Sequence, residues 1–393
     1  MIALVWVVAE TFSLLPPHVK TDPNQKPNFE HKTGIIHVHS IFSHDGGGSI
    51  QKIAEAASEA GADFVVVTDH DSSRARREGY EKRFGNVDVF VEMEASVQAG
   101  HLLVFYSHTA ARELEDEAVV QLAWKHYLGQ DTKDGFFVAV AHPSNIKNPW
   151  TSLDRYPDGI EVVNFDSQWQ RQLSESFPDF ALTFLLSSFN PYLTALRLFR
   201  IYPKDFVVWD NMNALSRGHF AILSQDSHEK LKINSRHSLA WPSYAETFKL
   251  ASNVVFFSQP LPEDFEGRKK MIYQSLRQGR NALVFHAIAP FQGNDWRLVC
   301  GEKIYRAGEE VPYSASCEFQ IDTPSQLPYP KVIRLWKDGN PIDESKTPDS
   351  SVHFALKGPG IYRLQVSVTP HTATSIFLSG ETPYVFYNPI YLR

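Results

Sequence analysis

The chain has 393 residues, 43% of them hydrophobic and 13% aromatic, enough for real cores and against intrinsic disorder. Its formal charge is −7, from 45 acidic and 38 basic residues with no long basic run. Non-specific binding of duplex nucleic acid through a cationic surface is therefore not expected. At about 150 residues per domain, the length suits roughly two or three domains.

In chain order, the opening MIALVWVVAETFSLLPP is apolar but has no Lys or Arg before Lys20 and is interrupted by Glu10. It lacks the basic start of a signal peptide and is too short and polar for a sound transmembrane helix. Residues 1–33 therefore read as a leader or as the tail of a longer anchor. Membrane association enters only through an incomplete N-terminus, and location stays open between cytoplasm and envelope. From 34 to 290, short apolar runs alternate with helical segments. Strands are expected at 34–39, 64–68, 87–91, 102–106, 136–141, 160–163, 220–223, 254–258 and 282–285. Runs such as FVVV and FFVAVA read as parallel strands buried on both faces. Helices are expected at about 50–60, with Ser49 as N-cap and Gly61 past the end, and at 112–127, 207–216 and 265–278. The greasy stretch 181–196 contains Ser187, Ser188, Asn190 and Pro191, which favour packed helices over a membrane span. Repeated strand–helix units imply a parallel sheet or barrel. From 291 to 393, short alternating runs separated by turns such as Asp338-Gly339 read as a small antiparallel β-sandwich. The simplest reading of Cys300 and Cys317 is two inert buried thiols, since a disulfide needs an oxidising compartment that the sequence does not establish.

Chemistry concentrates in the middle region. His37, His39, Asp45, His70, Glu94, His101, His142, Asp226 and His228 occupy strand-end positions in IIHVHSIFSHDGGGS, VVVTDHDS, VEMEAS, GHLLVF, VAVAHPS and AILSQDSH. Imidazoles and carboxylates in this proportion suit Zn, Mn or Fe, whereas calcium prefers all-oxygen sites. His37 and His39, two apart on one strand, share a face. Three choices are close. Glu94 competes with Glu92, and strand alternation favours Glu94; His101 competes with His108; Asp45 competes with His44. His31, His126, His219, His237, His286, His353 and His371 read as structural or exposed. Arg236, His237, Asn145 and Lys147 are candidates for touching substrate. Glu161 and Asn164 are candidates for supporting the site, or for pairing with backbone alone.

These motifs in this order, HVHS with SHDG, TDHD, EAS, GHLLVF, AHP and QDSH, resemble the polymerase and histidinol phosphatase (PHP) superfamily over about 34–286. VVWDNMNALSRG, LRQGRNALVF and the closing FYNPIYLR are similar to its carbaryl-hydrolase-like branch. The resemblance implies a distorted seven-stranded β/α barrel carrying up to three divalent ions at its rim. It implies that His37, His39, Glu94 and Asp226 bind the first ion. Glu94 would bridge to a second ion held by His101 and His142, and Asp45, His70 and His228 would hold a third. Ile36 and Gln225 depart from the family pattern without removing a ligand.

Three divalent ions would bring +6, against −3 from Asp45, Glu94 and Asp226, leaving about +3, which suits a phosphate ester. The expected reaction is hydrolysis of a small phosphomonoester or a nucleotide or oligonucleotide end by a metal-bridging hydroxide. Asp69, Asp71 and His44 are supporting or proton-donating candidates, because ligating His usually needs an oriented partner. The rival reading keeps the ions and changes the bond to a carboxyl or carbamate ester, with Trp150, Trp169 and Trp209 as an aromatic wall.

Overall fold

The computed structural model describes residues 29–107, 114–130, 135–152, 157–187, 197, 203–232, 238–239, 242–325, 327, 329–369 and 380–393. Nearly all of the 1–33 segment, residues 188–202 apart from Arg197, and His108, Arg236, His237 and His371 lie outside them. The chain is a mixed α/β protein of two compact units, one of residues 30–167 and 202–279, the other of 1–29, 168–201 and 280–393.

The first unit is built on a parallel-rich sheet. Its strands are β1 (Glu30–Val38), β2 (Phe64–His70), β3 (Lys82–Phe84), β4 (Val87–Val97), β5 (Gly100–Tyr106), β6 (Phe136–Val140), β7 (Gly159–Asn164), β8 (Phe220–Ser224) and β11 (Ser252–Phe257). β9 (Leu231–Lys232) and β10 (Ser238–Leu239) form a separate two-residue ladder. The order along the sheet is β11-β1-β2-β4-β5-β6-β7-β8, with β3 on β4. Every pairing on this path is parallel except β11–β1, β4–β5 and β5–β6. Six strands thus end at one rim, and β5, running the other way, begins there.

Among the described residues this ladder forms no closed barrel. The segment after its last strand, β8, is nevertheless stitched to β1 at the rim: Gln225 N donates to Ile36 O at 3.0 Å, and His39 N donates to Ser227 O at 3.0 Å. A parallel bridge joins Val38 to Ser227.

The apolar runs bury both sheet faces. Ile35, Val65, Val67, Val87, Val89 and Val91 pack under the helix Ile50–Glu59, which contributes Ile50, Ile53, Ala54 and Ala57. Each fully buried Ile there is worth about 1.5–3 kcal/mol. Ser49 caps that helix by accepting from Lys52 N at 3.2 Å. The alternate residues Ile36, Val66, Phe90, Leu103 and Phe105 pack with Ile272, Tyr273 and Leu276 of the helix Phe265–Arg277. The remaining expected helices fall at Asp116–Tyr127 and Pro203–Leu215. The short helix Tyr244–Phe248, closed by a capping box between Ser243 and Glu246, is not among the sequence expectations.

The second unit holds two sheets. The first has the order β15 (Glu310–Val311), β22 (Ile390–Leu392), β20 (Gly360–Val368), β21 (Thr382–Tyr387), β12 (Asn281–Val284), with β17 (Lys331–Lys337) pairing β20 and β18 (Asn340–Ser345) pairing β17. The second has the order β14 (Lys303–Tyr305), β13 (Asp295–Cys300), β16 (Glu318–Asp322), β19 (Ser351–Ala355). Aromatic rings link the two sheets: Trp296 meets Tyr387 at 5.5 Å and Phe319 meets Tyr362 at 5.0 Å, while Trp296 and Phe319 stack within one sheet at 5.7 Å.

One expectation is corrected here. Cys300 and Cys317 are a disulfide, not inert thiols. The β13–β16 register pairs Val299 with Glu318, which sets the next residues, Cys300 and Cys317, opposite each other with Cα atoms 4.3 Å apart. Of the stretch 181–196 only 181–187 is described, in the helix Phe177–Ser187, which buries Thr183 and exposes Phe177, Leu182 and Leu185. Among the described residues no helix is long and apolar enough to cross a membrane.

Candidate metal centre

The rim gathers all nine candidate ligands of the first unit, and the sheet's directions explain how. His37 and His39 come from the end of β1, His70 from the end of β2, Glu94 from β4, and His142, Asp226 and His228 from just beyond β6 and β8. His101 reaches the same rim from the start of a strand because β5 is antiparallel, with Ala141 N donating to His101 O.

Three overlapping groups form, each with its ligand atoms within 4.8 Å of one another: His37, His39, Glu94 and Asp226; His39, Asp45, His70 and His228; and His70, Glu94 and His101. Glu94 lies at the centre. Its Oε2 faces His37 Nε2 at 3.0 Å, His39 Nε2 at 3.2 Å and His70 Nδ1 at 3.4 Å. Its Oε1 faces His101 Nδ1 at 2.7 Å and His142 Nε2 at 2.8 Å. Asp226 Oδ1 stands 3.3 Å from His37 Nε2 and 3.2 Å from His39 Nε2. Asp45 Oδ2 stands 3.1 Å from His70 Nε2 and 3.3 Å from His228 Nε2.

The donors fit divalent cations. His37 Nε2 and His39 Nε2 are 3.0 Å apart, a little inside the spacing of about 3.4 Å between ligand atoms that each lie ~2.1 Å from one tetrahedral ion. His39 Nδ1 and His142 Nδ1 are buried without a hydrogen-bond partner.

The local backbone is bent to this purpose. Among the described residues, five of the six non-glycine positive-φ positions, His37, Asp71, His142, Asp226 and Glu229, lie at this rim, and the sixth is Asp338. Such conformations cost on the order of 1–3 kcal/mol each and persist where the surroundings over-determine them. At His37 a register shift between Ile36 and Val38 kinks the strand, so the His-x-His pair converges by a bulge as well as by alternation. The Asp45 loop is just as tightly held: a Cβ at Gly46 would lie 2.0 Å from Ser40 O, and one at Gly48 2.3 Å from the Tyr244 ring.

Supporting groups complete the site. Glu161 is fully buried; its Oε1 lies 2.6 Å from His37 Nδ1 and also accepts from Ser224 Oγ. Its Oε2 accepts from His142 N at 2.6 Å and Asn164 Nδ2 at 2.9 Å. Glu161 therefore turns the Nε2 of His37 toward Glu94, and Asn164 also donates to Asp226 Oδ2 at 3.1 Å. Asp69 accepts from Ser40 N at 2.6 Å and Ser40 Oγ at 2.8 Å, which clamps the loop after β1. Asp71 accepts from Ser96 N at 2.7 Å and ties β2 to β4. His44 is the open member: its side chain is 71% exposed and its ring lies 5.0 Å from His70. Asn145 holds its own turn, accepting from Lys147 N and donating to Ser167 Oγ, so its amide is engaged within the protein.

Charge suits the cluster to cations. Burial would lower the pKa of His37, but Asp226, Glu161 and Glu94 outweigh it and hold it well above the usual imidazole value. Burial is likewise overridden at His39, raised to about 10 by Asp226 and Glu94, and at His142, raised to about 9 chiefly by Glu94. In the same way, burial would raise Glu94, Asp226 and Asp45, yet the neighbouring imidazoles hold all three low.

Some residues were not singled out from sequence, or were ranked for the wrong reason. Asp166, just after β7, is pushed up to about 6 by burial and by Asp226. Alternation cannot separate Glu92 from Glu94, because both have the same parity. Glu92 is satisfied one step further from the rim by Lys269 Nζ at 2.6 Å, Tyr273 OH at 2.9 Å and Arg76 NH2 at 3.1 Å. Trp209 is buried in the core with Nε1 donating to His219 O, so it supplies no substrate wall. Trp150 packs edge-on to Tyr127 at 5.0 Å.

Fold and site together define a mixed α/β protein with a buried His, Asp and Glu cluster able to bind divalent metal. No family profile and no curated protein matches the chain. Solved structures do show likeness. One is a two-domain protein from Bacteroides vulgatus containing a predicted PHP-like metal-dependent phosphoesterase. It is 14% identical over 94% of this chain and 98% of that one, with a TM-score of 0.41. Another, from Bifidobacterium adolescentis, is described as a candidate metal-dependent phosphoesterase. It is 15% identical over 57% of this chain and 96% of that one, with a TM-score of 0.29.

Proposed function

We propose that the chain is a metal-dependent phosphoesterase of the PHP type, acting on a small phosphomonoester or a nucleotide end. The observation that carries this reading is Glu94, one buried carboxylate with five imidazoles shared between its two oxygens. A carboxylate placed in that way bridges cations, and the sequence motifs that deliver its partners are those of the PHP superfamily. Support for a distorted barrel comes from the rim hydrogen bonds between Ile36 and Gln225 and between His39 and Ser227.

His37, His39, Glu94 and Asp226 would hold one ion, Glu94, His101 and His142 a second, and Asp45, His70 and His228 a third. When bound, such ions supply Lewis acidity and lower the pKa of water from 15.7 towards about 7. The chain's residues do the rest. Glu161 and Asn164 fix the rings and carboxylates before substrate arrives. Asp69 and Asp71 hold the loops that frame the mouth. His44, exposed beside His70, would give a proton to the departing alkoxide. Three ions against Asp45, Glu94 and Asp226 leave an excess of about +3, which favours an anionic phosphate over a neutral carbamate.

The test is release of phosphate from an aryl phosphate by protein loaded with Mn or Zn, with Asp226→Ala as the inactive control. Full metal occupancy with no turnover across a broad phosphoester panel would defeat the reading. Turnover of naphthyl carbamate by the same preparation would establish the ester or carbamate alternative in its place.

A further inference from the structure

We propose that Tyr244 is a positioning residue for one of the three ligand groups, the one formed by His39, Asp45, His70 and His228. The inference rests on the metallohydrolase reading above and adds a device that controls its ions unequally. Tyr244 is fully buried at the start of the short helix Tyr244–Phe248, away from any ligand motif.

Its hydroxyl meets three backbone segments. It donates to His39 O at 2.7 Å, with His228 O 3.3 Å away, and it accepts from Gly48 N at 3.1 Å. These are the end of β1, the stretch after β8, and the loop that carries Asp45. They also hold one another, through Gly47 N to His228 O at 2.8 Å and His39 N to Ser227 O at 3.0 Å. One phenol thus stands at the junction of the segments that supply three of the four members of that group. The fourth, His70, comes from β2 and is tied instead to Ser43. Among the described residues Tyr244 makes no hydrogen bond to Glu94, His101 or His142, the set proposed for the second ion.

A hydrogen bond to the backbone of a ligand segment sets where its side chain starts, and outer partners of this kind typically change metal affinity 10–100-fold. The ring also explains the glycine at position 48. A Cβ there would lie 2.3 Å from Tyr244 Cε2, so the loop closes over the ring only without a side chain.

The experiment is a metal-buffered titration with Mn or Zn, read as ions bound per chain after equilibrium dialysis, with circular dichroism as the folding control. Tyr244→Phe removes only the hydroxyl. It is expected to weaken the Asp45, His70 and His228 ion most, about 10–100-fold, to weaken less the ion that shares His39, and to leave the Glu94, His101 and His142 ion at wild-type affinity. Gly48→Ala keeps the hydroxyl but displaces the ring, and should weaken the Asp45, His70 and His228 ion most as well; it decides the question if Tyr244→Phe does not fold. Phe248→Leu, a packing change on the same helix, should leave the profile unchanged. A Tyr244→Phe profile identical to wild type, or uniform weakening of all three ions, overturns the proposal. A wild-type chain that takes up no ion overturns the functional reading itself, and this inference with it.

Discussion

Glu92 and Glu94 stand two residues apart on β4, both buried and both surrounded by nitrogen donors, yet they have opposite roles. Glu92 is neutralised by permanent cations. Lys269 Nζ sits 2.6 Å away and Arg76 NH2 3.1 Å away, Tyr273 adds a hydroxyl, and Lys269 and Arg76 also reach Glu81. Glu94 is surrounded by five imidazoles, which carry no charge until they bind protons. The first cluster is electrostatically complete within the protein. The second has no permanent cation among those five partners, which suits it to divalent ions from outside. A buried carboxylate therefore marks a metal site through the chemistry of its partners rather than through its burial.

The largest effect should come from Glu94→Ala. It removes the ligand shared by two groups, so bound metal should fall by at least two ions per chain by elemental analysis. Phosphate release should drop by more than ~10²-fold, beyond the 10–100-fold typical of supporting residues. Retention of three ions would break the contrast. Glu92→Gln should do the reverse. It leaves Lys269 without one of its two carboxylates in a buried setting, costing about 3 kcal/mol, the low end for breaking a buried pair because Glu81 remains. Urea unfolding measures that loss, while the folded fraction should keep its full metal content.

Much of the metal-binding rim is legible in sequence because each ligand abuts a short apolar run whose end is easily placed: His70 after FVVVTD, His142 after FFVAVA, Asp226 after FAILSQ. Direction is less legible. His101 opens its strand, and only the antiparallel β4–β5–β6 pairing brings a strand start to a rim of strand ends. Parity could not rank Glu92 and Glu94, since what separates them is distance from the rim, set by where Lys269 arrives from a helix more than 170 residues away in the chain. Glu161 left one trace, a single carboxylate inside the apolar run GIEVVNF, which a buried strand tolerates only with a partner. The Cys300–Cys317 bond was illegible because it depends on the β13–β16 register.

Glu161→Gln sharpens the comparison at intermediate size. The substituted amide keeps the shape but holds the His37 ring less strongly through Nδ1, so metal affinity should fall about 10–100-fold without loss of stoichiometry at saturation. Unchanged affinity would mean that β1 alone orients His37.

The smallest effect concerns protons, and it separates the two clusters in the metal-free protein. His39 and His142 have pKa values raised to about 10 and about 9, against 6.5 when unfolded. Between those limits the folded chain binds more protons than the unfolded chain, so stability must decline as pH rises. The contribution of these rings is fully present below pH 6.5 and is lost on passing 9 to 10. Metal binding must displace the same protons, so apparent affinity should rise over that window, by about tenfold per pH unit for each proton released. Thermal melts of chelator-treated protein from pH 6.5 to 10 should therefore move downward, and melts at saturating metal should not. Among the described residues the Glu92 cluster contains no imidazole. Parallel metal-free and metal-loaded curves would mean that the imidazoles around Glu94 never carried the protons that ions replace.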